Sequence, residues 1–257
     1  KWNIFENFSK NTFQKIDIAY PANIETSKYL KKLKCKKIIN IGNLKFSDNK
    51  NTSGEILPQF FLSTLKKRLN FVASSTHQSE EILVGKTHLD LKKKFKNLLT
   101  IIIPRHINRV SKIKSDLTSL GLKIITRSSK KKIEKNTDIY LVDTYGETRK
   151  FFKIAKTIFI GGSIVNHGGQ NPIEPARFGL NIIHGPNVGN FKEIFKLFKE
   201  KNLAFKIHNQ NQLNMVAKKL LLKRNKKKIN LKKIGENILK KSVIEINQIF
   251  KNEIKKT

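Results

Sequence analysis

Short apolar runs recur along the chain and alternate with amphipathic stretches. FVASS (71–75), LLTIIIP (98–104), LKIITRS (122–128), DIYLVDT (138–144), TIFIGGS (157–163) and NIIHG (181–185) read as buried strands. They lack the polar–apolar alternation of half-exposed strands, as expected where a parallel sheet is covered on both faces. Helical patterns lie between them. In 106–121, Ile107, Val110, Ile113, Leu117 and Leu120 recur at spacings of three and four, and Gly121 stands where a helix ends. Stretches 189–200 and 231–250 have the same period. Strand–helix–strand alternation with right-handed crossovers predicts an α/β fold, doubly wound around a parallel sheet.

The first residues follow a shorter version of the same rhythm: a helical stretch, a strand at 17–22, a helix at 24–34 and a strand at 37–43. The polar, turn-rich SDNKNTSGE (47–55) then reads as a linker. The pattern therefore predicts the end of one α/β unit at 1–46 and a second unit over 56–257. The first unit is too short to be a complete doubly wound domain. With Lys1 rather than Met at the start, the chain reads as truncated at its N-terminus.

Composition changes this picture little. With 53 Lys and Arg against 19 Asp and Glu, the formal net charge is +34. The lysines are spread over nearly every predicted helix and accompany many Ile and Asn residues, which share AT-rich codons. They read as solvated background, with an anionic membrane surface as the main functional alternative. No aromatic RNA-binding signature appears, so nucleic acid is not an expected partner. The single Cys35 excludes an internal disulfide framework. No apolar run approaches the ~18 residues of a membrane-spanning helix. The histidines lack metal-ligand spacing, so neither metal nor cofactor is expected.

Chemistry in such a sheet is expected beyond the carboxyl ends of the strands, and four unusual segments fall there. In SSTHQSEE (74–81), Ser and Thr can cap a helix whose first turn holds Glu80 and Glu81, or the loop can touch a ligand through Ser75 and His77. In PRHINR (104–109), Pro104 ends a strand and Arg105 emerges at the edge, where its position favours an anion-binding fork over a plain surface arginine. In DTYGE (143–147), Asp143, Thr144 and Glu147 suit helix capping, the reading the pattern favours, or the Tyr145–Gly146 backbone faces a flat base and hydrogen-bonds its edge. The fourth, GGSIVNHGGQNPIEP (161–175), holds four glycines and no lysine. Its glycines let backbone approach a ligand, making Gly161, Gly162, Ser163, Gly168 and Gly169 further candidate contacts. Asn171 and Pro172 suit a helix start whose amides favour an anion, and Glu174 suits a ribose diol. His106 and His167 stand within reach of a phosphate, while His184 suits packing at a strand end. The spacing matches neither GxGxxG nor a Walker A loop.

ASSTHQSEE, IIIPRHINR, LVDTYGE and FIGGSIVNHGGQNPIEPARFGLNIIHGPNVGNF together resemble the 3-deoxy-D-manno-octulosonic acid (Kdo) transferases of glycosyltransferase family 30, and IGNLKF (41–46) resembles the approach to their second domain. The resemblance keeps motif order along nearly the whole chain. It implies a GT-B fold, with a C-terminal Rossmann-like domain preceded by the end of an N-terminal one. It implies transfer of Kdo from CMP-Kdo to a lipid A precursor, lipid IVA, with inversion and without metal, at the cytoplasmic face of the bacterial inner membrane. By the same resemblance Pro104, Arg105, Tyr145, Gly146, Glu147, Asn171, Pro172, Ile173 and Glu174 contact CMP. The family's general base is a glutamate of the N-terminal half, so no catalytic residue is expected in this chain. Tyr145 and Gln170 stand where the family usually has Met and His. Other GT-B sugar-nucleotide enzymes, or a basic RNA- or membrane-binding module, are the competing expectations.

Overall fold

The computed structural model describes residues 5–47, 57–222 and 231–254. The chain divides into two compact units: Lys1–Lys50 with Asn230–Thr257, and Asn51–Ile229. The first unit opens with helix α1 (Glu6–Phe13), strand β1 (Ile18–Ala19), helix α2 (Ile24–Lys32) and strand β2 (Lys37–Ile38). Asn23 caps α2, its side-chain oxygen accepting from the Thr26 N–H at 2.7 Å. β1 and β2 pair in parallel, Ile18 with Lys37 and Ala19 with Ile38. Both strands are shorter than expected. Of the linker expected at 47–55, only Ser47 lies among the described residues.

The second unit runs α3 (Gln59–Lys66), β3 (Leu69–Thr76), α4 (Glu80–Lys94), β4 (Leu98–Pro104), α5 (Val110–Thr118), β5 (Ile124–Thr126), β6 (Ile139–Leu141), α6 (Thr148–Phe152), β7 (Thr157–Ile160), α7 (Ile173–Arg177), β8 (Asn181–His184), α8 (Lys192–Glu200), β9 (Ala204–Lys206) and α9 (Gln210–Leu221). Its seven strands lie in the order β5-β6-β4-β3-β7-β8-β9, and every pairing is parallel. The expected α/β class holds, and all six strand runs form strands. β9 is an addition: only three residues long and ending in Lys206, it lacked an apolar run long enough to read. The core is built from Phe71 and Ala73 of β3, Leu98 and Ile102 of β4, Phe159 of β7 and Ile183 of β8. Val84, Ile113, Leu117, Leu213 and Leu220 reach it from the helices. From β3 the chain moves to β4 on one side and later returns to β7 on the other. The carboxyl ends of β3 and β7 therefore flank the topological switch point, where such sheets bind ligands.

Helix α10 (Leu231–Ile254) belongs to the first unit, whereas the sequence reading kept it with the second. Its apolar period is clear, but a period names a buried face and not the partner that covers it. Here Gly235 lies on the 3₁₀ turn Leu44–Phe46. A Cβ at Gly235 would stand 2.1 Å from the Phe46 carbonyl oxygen, so no other residue allows this approach.

Candidate functional site

At the carboxyl edge of the sheet a cavity of about 240 Å³ is lined by Ser74 and Ser75 of β3, Arg105 after β4, Thr148 and Phe152 of α6, Ile158 and Ile160 of β7, and Gln170, Asn171, Glu174 and Pro175 around the start of α7. Four of the expected site residues, Ser75, Arg105, Asn171 and Glu174, thus share one cavity with an apolar floor and a polar rim. The Arg105 N–H donates to the Thr76 carbonyl at 3.0 Å, which fixes its backbone to the end of β3. Its guanidinium is exposed and has no hydrogen-bond or ion-pair partner among the described residues. A fork-shaped cation left unpaired beside a concave surface suits a phosphate.

The loops after β3 and β7 are tied together by a residue that the sequence reading placed merely in a helix first turn. Glu80 is fully buried. One carboxylate oxygen accepts from the N–H groups of His77 at 2.9 Å and Gly162 at 2.7 Å. The other accepts from Ser163 at 3.1 Å and Ile164 at 3.0 Å. The Gly161 N–H goes to the Ser74 carbonyl at 2.9 Å. A Cβ at Gly161 would lie 2.4 Å from the Ser75 carbonyl oxygen, so the two strand ends touch backbone to backbone. Gly161, Gly162 and Ser163 were expected as possible donor contacts; in the structure the amides of all three have internal partners. Gly169 likewise donates to the Gly162 carbonyl at 2.8 Å, and Gly168 packs against the Asn190 side chain.

Three histidines gather at this edge, His77 after β3, His106 after β4 and His167 after β7. The His77 ring stacks on His167 with centroids 4.4 Å apart and meets His106 edge-on at 5.9 Å. Its Nδ1 lies 3.1 Å from the Ser75 carbonyl, and burial, the largest influence, lowers its pKa. His184 packs at its strand end as expected, 4.2 Å from the Phe195 ring.

The remaining expected residues surround the cavity without lining it. Pro104 is the buried last residue of β4. Tyr145 is 76% exposed, and open space surrounds Gly146. Glu147 is held by Arg127 through two bonds of 2.9 and 3.0 Å, by Thr144 at 2.5 Å and by Lys150 at 3.1 Å. The Arg127 bonds above all push its pKa down to about 2. Asp143 was expected to cap α6 but makes no cap bond to it; instead it accepts from the Ser128 N–H at 2.7 Å and steadies the loop after β5. α7 starts one residue later than expected, with Pro172 at its cap, and is only five residues long. Asn171 accepts from the Ile173 N–H at 3.0 Å, and Glu174 pairs with Arg149 at 3.2 Å. Ile173 is buried.

A second polar cluster closes the amino edge. Arg68 donates to the carbonyls of Asn97 (3.1 Å), Glu134 (3.1 Å), Leu98 (2.6 Å) and Thr137 (3.0 Å). Buried His88 bonds Thr100 at 2.8 Å and Asp138 at 3.3 Å. Asp138 also pairs with Lys92 and accepts from the Lys123 N–H. Burial pushes His88 down to about 4. Among the described residues, no group of three or more His, Cys, Asp or Glu is arranged to hold a metal ion.

No family model matches the chain. It is 33% identical over 226 residues to the 3-deoxy-D-manno-octulosonic acid transferase of Haemophilus influenzae, covering 86% of this chain and 52% of that protein. It is 33% identical over 218 residues to the transferase of the same name from Rickettsia prowazekii, covering 83% and 47%. The chain thus spans about half the length of these curated relatives. Among solved structures, the C-terminal CMP-Kdo binding domain of WaaA from Acinetobacter baumannii superposes with a TM-score of 0.61 at 24% identity, covering 71% of this chain and 93% of that one. That likeness, like others to GT-B glycosyltransferases, concerns the fold. Over most of its length, therefore, the chain is homologous to the Kdo transferases and corresponds to about half of such a protein.

Proposed function

We propose that this chain carries the nucleotide-sugar site of a Kdo transferase and that its donor is CMP-Kdo. The observation that carries the reading is the unpaired Arg105 guanidinium in a cavity shared with Ser75, Gln170, Asn171 and Glu174. Arg105 takes the donor phosphate through charged hydrogen bonds. Asn171 and Glu174 face the ribose, and the exposed Tyr145–Gly146 turn meets the cytosine. Pro104, Pro172 and Ile173 hold those groups in place from beneath, and Glu147 anchors its turn through Arg127.

The intact enzyme transfers Kdo to a lipid A precursor, the acceptor hydroxyl attacking the anomeric carbon with inversion as CMP leaves. No general base is assigned within this chain. Glu80, Glu81, Glu147 and Glu174 all have internal partners, Glu81 through two bonds to Arg109 at 3.1 and 3.0 Å. The proposed place of action is the cytoplasmic face of the inner membrane, where a lysine-rich surface meets anionic lipid. Among the described residues no helix is long and apolar enough to cross a membrane.

Calorimetric titration with CMP, UDP and GDP tests the donor assignment. CMP is expected to bind about tenfold more tightly than the other two, since hydrogen bonding to the base edge is worth roughly 1.4 kcal/mol. Tighter binding of UDP sinks it.

A further inference from the structure

The loops that meet at the switch point are held in a costly shape. Ser75 and Ser79 both have left-handed backbone angles, φ 56° and 72°, without being glycine. Such residues persist where their surroundings over-determine them. Here the surroundings include a carboxylate. The consecutive amides Gly162, Ser163 and Ile164 form a concave row of the kind that binds anions at the ends of strands. In this chain Glu80 already fills that row from 82 to 84 residues away, with the fourth bond to the His77 N–H. One of these bonds fixes the His77 backbone, and the His77 ring lies over the row: its Cε1 would be 3.1 Å from a Cβ at Gly162, a point also 3.4 Å from the Gln170 amide nitrogen in the cavity lining.

We infer that Glu80 is a positioning residue of the nucleotide site: a built-in anion that occupies the amide row after β7 and holds His77 and Gln170 in register, so that the cavity exists before nucleotide arrives and the donor phosphate is directed to Arg105. The inference rests on the nucleotide-binding reading above. Its chemistry also predicts how each substitution fails. In Glu80→Ala the row is empty. In Glu80→Gln one carboxamide end is a donor, so two of the four N–H groups lose their acceptor whichever way the amide faces.

The test is CMP affinity by calorimetry for the parent chain, Glu80→Gln and Glu80→Ala, with and without added formate. Dissociation constants are expected to rise about tenfold to a hundredfold in Glu80→Ala, the range for loss of a charged hydrogen-bond partner, with Glu80→Gln intermediate. Formate should refill the row in Glu80→Ala and recover most of the loss, while leaving the parent unchanged. A merely structural role gives lower thermal stability with CMP affinity intact, which overturns the inference. The parent chain alone gives a second readout. On CMP addition the amide resonances of Gly162, Ser163 and Ile164 should stay in place while those of Gln170 and Asn171 move. Large shifts in the first three mean that phosphate enters the row, and the inference falls even if neither variant folds. If the parent binds no nucleotide at all, the functional reading itself is what has failed.

Discussion

Two arginines border the central strands of the sheet, and they have opposite fates. Arg68 precedes β3 and donates to four main-chain carbonyls at the amino edge. Arg105 follows β4 at the carboxyl edge, and its guanidinium has no partner among the described residues. Around Arg68, Asp138, His88 and Lys92 satisfy one another. At the carboxyl edge the carboxylates are already taken: Glu80 by amides, Glu147 by Arg127 and Glu174, which shares the Arg105 cavity, by Arg149. The lesson is that charge alone does not mark a binding edge. A cation that closes on its own fold is architecture, while one held open is, on the reading proposed above, left for a guest anion.

Three experiments separate the two edges, beginning with the largest effect. Arg68→Ala strips the charged donor from four carbonyls and from the neighbourhood of buried Asp138, and should lower the unfolding free energy by about 3 kcal/mol. Urea unfolding measures it, and CMP affinity of the folded fraction should not change. Arg105→Ala should reverse that pattern, with about 1–3 kcal/mol lost in CMP binding and unfolding altered by less than about 0.5 kcal/mol. A variant that loses stability instead would place Arg105 in the architecture with Arg68.

The smallest effect is in pH. His88 at the amino edge and His184 at the carboxyl edge are both pushed down to about 4, chiefly by burial. Below their ordinary range the unfolded chain takes up these protons first. The stabilisation is therefore complete above about pH 6.5 and is lost as pH falls toward 4, at about 1 kcal/mol per histidine between pH 6.5 and 5.5. Urea midpoints across that interval check it; a flat profile would mean that both rings protonate without opening either edge.

Much of this was legible in sequence, for physical reasons. Strands such as Leu98–Pro104 announce themselves because a parallel strand covered on both faces must be apolar throughout. Arg105 was legible because Pro104 ends that strand beside it. Glu80 was only half legible. Its bond to the His77 N–H follows the three-residue reach of a capping box, as in Thr-x-x-Glu patterns. Its bonds to Gly162, Ser163 and Ile164 cross from one strand end to another, and no local spacing encodes them. The glycine-rich stretch was half legible for the same reason. Its amides are indeed arranged for an anion, and the anion is a side chain of this protein. The Asp143 partner, Ser128, was hidden because it lies on a neighbouring strand's loop.

The contact between Gly235 and Phe46 joins two segments that the sheet-bearing unit separates in sequence. During synthesis the sheet-bearing unit emerges as one uninterrupted stretch and can consolidate early, since its pairings need nothing that follows. The turn Leu44–Phe46 has to wait for Gly235 to leave the ribosome before it is covered. Assembly of this pairing is thus ordered by translation: residues 44–46 are made before the sheet-bearing unit and covered after it.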